Sequence, residues 1–175
     1  YYIIKFFYFS IKIYIYIKIM SIKNAKAICV LHQATKKKFY GNIIFTEYKN
    51  YTKIEVDLKG LPPGKRGFHI HEKGNLSEGC TSLCAHYNPY KNDHGGLNEE
   101  NSHVGDLGNI MVDKNGNAKC VIKAKRVRLT GEYSVIGRSI VIHEKEDDCG
   151  KGDNEESLKT GNAGKRIACG IIGHY

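Results

Sequence analysis

The chain has 175 residues, of which 41% are hydrophobic and 26% are charged, and its formal net charge is +9 at pH 7. This length is enough for one well-buried domain and short for two. A basic balance suits nucleic acid, an anionic membrane or a small anionic substrate, but no basic run with interleaved aromatic residues follows the first stretch, which argues against a nucleic-acid partner.

The first stretch, YYIIKFFYFSIKIYIYIKIM, differs from everything after it. As a transmembrane span it would place Lys12 near the middle of the bilayer, at a cost of about 2.5–3.5 kcal/mol. As a secretory signal its apolar run is broken by lysines, and no small-residue cleavage site follows. We therefore interpret residues 1–20 as an extension outside the domain, and we expect translation to start at Met20, with the first nineteen residues as upstream read-through. Residues 21–175 are predicted to form one cytoplasmic domain with no membrane partner.

From residue 25 onward the apolar residues repeat with a period of two, which is typical of strands. The runs are AKAICVLH, NIIFTEY, YTKIEVDL, GFHIHE, GNIMVD, AKCVIKA, RVRLTG and RSIVIHE. Short strands separated by turn signals predict an all-β sandwich or barrel. KNG at 114–116 predicts a tight hairpin turn, and NEESLKT indicates at most a single helical turn.

Two long segments, 72–103 and 144–165, have no strand pattern and are rich in glycine, asparagine and charge. Loops of more than about 15 residues are usually either functional or disordered. Both of these segments are also rich in histidine or aspartate, so we expect them to be functional.

The run GFHIHE places His69 and His71 two residues apart, so a strand would point both imidazoles to the same face. Six of the eight histidines lie in or beside the two long segments or the strands that flank them. Asp106 follows His103 by three residues, in HVGD. Imidazole binds copper and zinc well, and one carboxylate among imidazoles fits zinc. The sequence predicts a histidine-rich transition-metal site for one or two ions.

Longer stretches carry a more specific signal: GFHIHEKG, GCTS, HYNP, DHGG, HVGDLGN, GRSIVIHEKEDDCGKG and GNAGKRIACGIIG. Together they resemble the copper–zinc superoxide dismutases, from about Ala25 to Gly173. The resemblance implies an eight-stranded Greek-key β-sandwich or barrel with a metal-binding loop and an electrostatic loop. It also implies an antioxidant oxidoreductase with copper and zinc, which disproportionates superoxide to dioxygen and hydrogen peroxide by copper redox cycling. A lone HxH also suits a cupin-type barrel, whose second motif is missing here.

The resemblance implies two ligand sets that share one histidine. It places the copper ligands at His69, His71, His86 and His143. It places the zinc ligands at His86, His94, His103 and Asp106. His86 would then be the catalytic bridge between the ions, an imidazolate that takes up a proton and passes it to the nascent peroxide. Asp147, in EDDCG, matches a carboxylate that hydrogen-bonds one histidine of each set, as such outer partners commonly do.

The resemblance also implies how the substrate anion approaches. Arg166, in GKRIACG, matches the family's active-site arginine, whose fixed charge and directional donors suit a small anion. Four further positions match the charged loop that shapes the substrate channel: Glu155, Glu156, Lys159 and Thr160. A positive channel raises association rates roughly 10- to 1,000-fold in a salt-dependent way.

Two of the six cysteines, Cys80 and Cys169, match the family's intrasubunit disulfide. Cys84 stands where the family usually has a small residue such as glycine. It lies four residues from Cys80 and could compete with it for Cys169. The remaining three are predicted to be free thiols: Cys29, Cys120 and Cys149.

Lys73 is a departure that bears on partners. The family usually carries an aromatic residue there, packed in the apolar contact of a homodimer. Charged side chains are depleted in interface cores because desolvating them is costly. We therefore expect a homodimer that is weakened or repacked. A copper chaperone is an open possibility as a loading partner.

The alternative to an enzyme is a non-enzymatic copper-handling or metal-buffering protein of the same fold. Chaperone relatives typically lose copper ligands and add a metal-binding domain with its own cysteine pair. Every ligand position and Arg166 are kept in this sequence, which favours the enzyme. His32 and His174 match no ligand position.

Overall fold

A computed structural model of the protein describes residues 24–33 and 39–175. The predicted N-terminal extension and the start at Met20 lie outside the described residues. The described part contains eight strands, named β1 to β8 in chain order: Lys26–Gln33, Phe39–Glu47, Thr52–Leu58, Gly64–His71, Asp106–Val112, Ala118–Ala124, Ser139–His143 and Arg166–His174. It also contains a 3-10 turn and one helix, α1: Thr81–Leu83 and Ser157–Thr160.

All strands belong to one antiparallel sheet in the order β5-β4-β7-β8-β1-β2-β3-β6. The two end strands, β5 and β6, approach each other, so the sheet curls into a nearly closed barrel. The predicted eight-stranded all-β fold is confirmed. Within the described residues no helix is long and apolar enough to cross a membrane.

The period of two in the sequence becomes an inward and an outward face. In β3, Ile54, Val56 and Leu58 are buried, while the residues between them are half-buried or exposed. In β7 both faces are covered, and all five residues are buried. Its Val141 packs on Leu83 and on the Cys80–Cys169 pair. Each large apolar side chain buried in this way contributes about 1.5–3 kcal/mol.

The prediction of a strand at RVRLTG, residues 126–131, is wrong. Val127 and Leu129 are buried, which explains the apolar pattern. The backbone nevertheless pairs with no strand, apart from an isolated bridge between Arg128 and Ser134. The Leu129 N–H instead donates to the Glu47 carboxylate, 2.8 Å away.

The hairpin predicted at KNG is correct for the turn and wrong for the pairing. The turn is closed by Asp113 N–H donating to Asn117 O, 2.8 Å away, and Gly116 has the positive φ of 82° that such turns need. The strands on either side form no hydrogen-bonded ladder with each other, since β5 pairs with β4 and β6 with β3. The single helical turn predicted at NEESLKT is confirmed as α1.

The alternating pattern did not single out β8 because glycine interrupts it. A Cβ atom on Gly170 would lie 2.2 Å from the Val30 carbonyl oxygen, so only glycine allows β8 to approach β1 here. The strand is needed to carry Arg166 and Cys169.

The sheet brings the two long loops together. The metal loop, residues 72–105, joins β4 to β5, and the electrostatic loop, residues 144–165, joins β7 to β8. β4 and β7 are antiparallel neighbours, so the two loops leave opposite ends of this pair. The loops nevertheless meet, since the His94 N–H of the metal loop donates to Leu158 O of the electrostatic loop, 2.8 Å away.

Candidate metal centre

Three histidines are fixed by the central strands. His69 and His71 point to one face of β4, as their spacing predicts, and His143 is the last residue of β7. All three are buried, with 0%, 1% and 4% of their surfaces exposed. The ring of His143 is 4.9 Å from that of His69, centroid to centroid, and its Nε2 is 3.4 Å from Nε2 of His71.

Hydrogen bonds to backbone carbonyls fix the tautomers of two of these rings. Nδ1–H of His71 donates to Cys84 O, 2.8 Å away, and Nδ1–H of His143 donates to Gly164 O, 2.9 Å away. A carbonyl can only accept, so both Nε2 atoms keep a lone pair that faces the other imidazoles. The sequence did not indicate that these two carbonyls accept hydrogen bonds from histidines. It showed only that residue 164 is glycine and that Cys84 replaces the family's usual small residue.

His86, from the metal loop, completes a first group. Its ring centroid is 4.0 Å from that of His69. One ligand atom from each of four buried histidines lies within 4.8 Å of the other three: His69, His71, His86 and His143. The structure thus brings together every residue predicted as a copper ligand.

A second group gathers around one carboxylate. Oδ1 of Asp106 lies 3.0 Å from Nδ1 of His86, 3.0 Å from Nδ1 of His94 and 3.1 Å from Nδ1 of His103. The other oxygen, Oδ2, accepts the backbone N–H groups of His103 and Gly95 at 2.8 and 3.0 Å. These four side chains are the predicted zinc ligands, and their ligand atoms also lie within 4.8 Å of one another.

Asp147 joins the two groups from behind. Its Oδ2 accepts Nε2–H of His69 at 2.8 Å, and its Oδ1 accepts Nε2–H of His94 at 2.7 Å. Both histidines therefore turn Nδ1 toward the group they belong to. The backbone of Asp147 is held by the amide of Asn109, in two hydrogen bonds of 2.8 Å. Sequence reasoning missed Asn109, since an amide next to a predicted ligand gives no separate signal.

Both groups fit metal ions. Two buried ring nitrogens have no partner, Nδ1 of His69 and Nε2 of His86, and a third, Nδ1 of His94, faces only the Asp106 carboxylate, 3.0 Å away, without hydrogen-bond geometry. A buried, unpaired polar atom is costly and needs an explanation. Each of these atoms faces its ligand group, and an all-imidazole set suits copper while imidazoles with one carboxylate suit zinc.

The histidines of the two groups differ in how their surroundings shift their pKa values. Burial lowers the pKa of His69 and of His143 to about 4 and that of His86 to about 3, so these rings are neutral at pH 7 with lone pairs free. Burial alone would also lower the pKa of His94, but the carboxylates of Asp106 and Asp147 raise it to about 9. A metal ion at the second group would displace that proton.

An open cavity of about 330 Å³ leads to the first group. Its walls include His71, His86 and His143 of the ligand group and four residues from the electrostatic loop and β8: Glu156, Lys159, Thr160 and Arg166. Glu155 does not line the cavity. It forms an exposed ion pair with Lys159, with 2.5 Å between Oε1 and Nζ.

Arg166 is held rigidly at the cavity wall. Nη1 donates to Cys80 O at 2.7 Å, and Nη2 donates to Cys84 O at 2.6 Å. The guanidinium is half-buried, and it keeps donors beyond those two for a small anion in the cavity.

The Cys80–Cys169 disulfide ties the metal loop to β8, with 5.8 Å between the Cα atoms. The predicted pairing is therefore confirmed, and Cys84 does not replace Cys80 as the partner. Four cysteines are free: Cys29, Cys84, Cys120 and Cys149. His32 and His174 are exposed and lie outside both ligand groups.

Comparison with known proteins identifies related chains. The family described as copper/zinc superoxide dismutase matches residues 39–172. The Cu-Zn superoxide dismutase of Paramecium bursaria Chlorella virus 1 is 51% identical over 153 residues, or 87% of this chain and 80% of the relative. The Cu-Zn superoxide dismutase of Yarrowia lipolytica is 48% identical over 151 residues, which cover 85% of this chain and 97% of the relative. The extracellular Cu-Zn superoxide dismutase of Drosophila melanogaster is 49% identical over 143 residues, which cover 81% of this chain and 79% of the relative.

A solved structure shows the same fold. The crystal structure of the clock protein EA4 matches with a TM-score of 0.81 and 45% sequence identity, over 87% of this chain and 96% of that chain.

Proposed function

The chain belongs to the copper/zinc superoxide dismutase family, and we propose how its own side chains divide the work of the reaction. It is an oxidoreductase with copper and zinc as cofactors, and it disproportionates superoxide to dioxygen and hydrogen peroxide. A non-enzymatic metal-buffering role is not favoured, because several curated relatives at about 50% identity are superoxide dismutases. The observation that carries the proposal is the pair of four-ligand groups that share His86.

We propose that the all-imidazole group holds copper and that the group containing Asp106 holds zinc. Bound copper supplies a centre that alternates between two oxidation states, whereas bound zinc has a fixed one. The Asp147 carboxylate holds His69 and His94 in the orientation each ligand needs, through hydrogen bonds of 2.8 and 2.7 Å.

His86 is proposed to serve both groups through its two ring nitrogens. Nδ1 faces Asp106 at 3.0 Å, and Nε2 is buried without a hydrogen-bond partner on the side of the first group. The ring also lines the cavity. Burial lowers the pKa of this ring, so Nε2 keeps a free lone pair at pH 7. We propose that, during turnover, Nε2 takes up a proton and passes it to reduced substrate in the cavity.

Arg166 is proposed to bind and orient the superoxide anion. Backbone carbonyls fix its guanidinium beside His71 and His143 at the cavity wall. A fixed charge with directional donors orients a small anion better than a flexible ammonium. Lys159 and Thr160 line the cavity, and the carboxylates of Glu155 and Glu156 reduce the positive potential near its entrance. We propose that these four residues steer the anion toward the first group.

We propose that residues 21–175 act as one domain in the cytoplasm. Among the described residues four of the six cysteines are free thiols, which suits a reducing compartment. Relatives include extracellular enzymes, so location needs its own test. Fractionation of the native cells with an antibody should place the protein with cytosolic markers; recovery in the medium would contradict this.

We propose that the homodimer of this enzyme is weakened by Lys73. The side chain is exposed, and Gly74, the next residue, lies close to Ile171, an exposed isoleucine. A charged ammonium in this region opposes apolar association, because desolvating it is costly. Sedimentation should show monomers at nanomolar concentration, and Lys73→Phe should restore dimers; a tight dimer of the natural chain would defeat the proposal. Loading by a copper chaperone is a further proposal, tested by copper content with and without co-expression of one.

The deciding experiment is metal analysis paired with a dismutation assay, before and after addition of copper. We expect one copper and one zinc ion per chain, and activity that follows copper content. Zinc retained without any copper-dependent activity would contradict the enzyme.

A further inference from the structure

The stretch of the metal loop that carries His94 and His103 has no regular structure of its own. Within the described residues neither a helix nor a strand falls between residues 88 and 105. Ordering each residue of such a stretch costs conformational entropy. Contacts from the rest of the molecule must therefore hold it in place.

Arg126, just after β6, reaches both ends of this stretch. Its Nη1 lies 2.6 Å from Ser102 O, 3.2 Å from Glu100 O and 3.3 Å from Glu99 O. Its guanidinium also packs on the ring of Tyr90, with 5.3 Å from Cζ to the centroid. One half-buried cation thus connects residues 90 and 102 of the same loop.

Asn98, midway along the stretch, makes a second attachment. Its Nδ2–H donates to Lys123 O at 2.9 Å, and its Oδ1 accepts the Lys125 N–H at 2.7 Å. These two bonds satisfy the open edge of β6 as a neighbouring strand would. Asn98 has a φ of 64°, a conformation that asparagine tolerates better than most residues.

These hydrogen bonds end at backbone next to the zinc ligands that we propose. Ser102, whose carbonyl receives Arg126, immediately precedes His103. The same carbonyl also accepts Nδ2–H of Asn92 at 3.1 Å, and Asn92 lies two residues before His94. The carbonyl of Ser102 therefore links Arg126 to the backbone on both sides of the second group.

We infer that Arg126, together with Asn98, is a positioning residue that sets the loop ligands His94 and His103 in place for zinc. The inference rests on the zinc ligands proposed above. Neither residue belongs to a ligand group, so the effect passes through the loop backbone. Without Arg126 the ligands would remain but would have to be ordered by the ion itself, and zinc would leave faster.

The test is the rate at which zinc passes from the fully loaded, full-length chain to a chromophoric chelator. For Arg126→Gln we expect release about tenfold faster, the lower end of effects seen for outer partners of metal ligands. Arg126→Lys keeps a donor for Ser102 O and should recover part of the loss. Asn98→Gly keeps the left-handed backbone and loses both bonds to β6, so we expect release about threefold faster. Lys125→Gln removes the same charge one residue away and should release zinc at the natural rate.

A second readout separates positioning from general stability. Cobalt placed in the zinc site should show an altered visible absorption spectrum in Arg126→Gln, whereas a merely structural arginine would lower the melting temperature alone. Equal release rates and spectra for Arg126→Gln, Lys125→Gln and the natural chain would overturn the inference, provided that His103→Ala still loses zinc. Should His103→Ala keep its zinc, the proposed ligand set fails and the inference fails with it. If Arg126→Gln does not fold, an unchanged rate in Asn98→Gly overturns the inference by itself.

Discussion

The two ligand groups are built in different ways, although they share His86. In the all-imidazole group, His69, His71 and His143 come from β4 and β7, so hydrogen-bonded sheet sets most of the geometry. In the other group, His94 and His103 come from a loop without regular structure. The sheet can thus prepare one ion site by itself, whereas the second depends on the contacts that hold the loop.

The groups also differ in charge and access. The first group opens to the cavity beside the Arg166 cation. The second group is buried and contains the Asp106 carboxylate, and Asp147 lies against both. A redox centre needs access to a diffusing anion, while an inert ion needs only to be retained. This difference supports the proposal that turnover occurs at the open group and that the closed group has a supporting role.

Removing one strand-borne ligand gives the largest effect. His143→Ala should abolish copper-dependent turnover and leave zinc bound, because His143 belongs to the first group alone. Metal analysis and a dismutation assay of the purified variant test this. His174→Ala, an exposed histidine outside both groups, is the matched control and should behave as the natural chain. Unchanged turnover in His143→Ala would show that the ligand assignment is wrong.

Acid should destabilise the metal-free protein through the first group. Below pH 6.5 the unfolded chain takes up protons on His69, His86 and His143, whereas the folded chain, with pKa values of about 4, 3 and 4, does not. Because the unfolded state then binds more protons, the free energy of unfolding falls as the pH falls. Between pH 7 and pH 5 the loss is on the order of 2 kcal/mol for each histidine.

The second group should act at the opposite end of the pH scale. The carboxylates raise the pKa of His94 to about 9, so its contribution is complete below the unfolded pKa of 6.5 and disappears as the pH rises through about 9. Urea titrations of the metal-free chain from pH 5 to pH 10 should therefore show a maximum between these limits. Constant stability from pH 7 to pH 5 would mean that the first group is not buried in the neutral form.

The open group should also be sensitive to the cation beside it. Arg166→Gln should lower kcat/KM for superoxide about tenfold and flatten its dependence on ionic strength, since a steering charge is lost. Pulse radiolysis at several salt concentrations measures both effects. Lys165→Gln removes an exposed neighbouring charge outside the cavity wall and should lower the rate much less. Equal losses in the two variants would reduce the role of Arg166 to net charge.

The smallest effect concerns the carbonyl that holds His71 and Arg166. Cys84 has φ 62° and ψ −155°, a conformation that is nearly restricted to glycine and costs about 1–3 kcal/mol for other residues. Cys84→Gly should raise the free energy of unfolding by about 1 kcal/mol and leave turnover unchanged. Cys120→Gly, on β6, should lower it, because a regular strand gains nothing from glycine. Equal destabilisation by both substitutions would show that Cys84 is not strained.

Much of the barrel and both ligand groups could be predicted, for different reasons. Alternating burial, as in β3, follows directly from alternating apolar and polar residues in the sequence. The predicted ligands lie in short linear motifs around His69, His103 and His143. The strand expected at residues 126–131 was wrong because burial of Val127 and Leu129 gives an apolar pattern without a pairing partner. β8 escaped the pattern because Gly170 interrupts it.

The parts of the site made by backbone atoms could not be predicted. The carbonyl oxygens of Cys84 and Gly164 select the tautomers of His71 and His143, but every residue has a carbonyl. Arg126 looks like any surface arginine in the sequence until the fold places it against the metal loop. Such contacts depend on tertiary structure and leave no local mark.

The central claim is that one ring, that of His86, serves both metal ions. Its most direct test is a crystal structure of the protein loaded with copper and zinc, with anomalous scattering measured at both absorption edges. We expect copper at Nε2 and zinc at Nδ1 of the same imidazole. A single ion with both metals supplied, or two ions without a shared ring, would contradict the account.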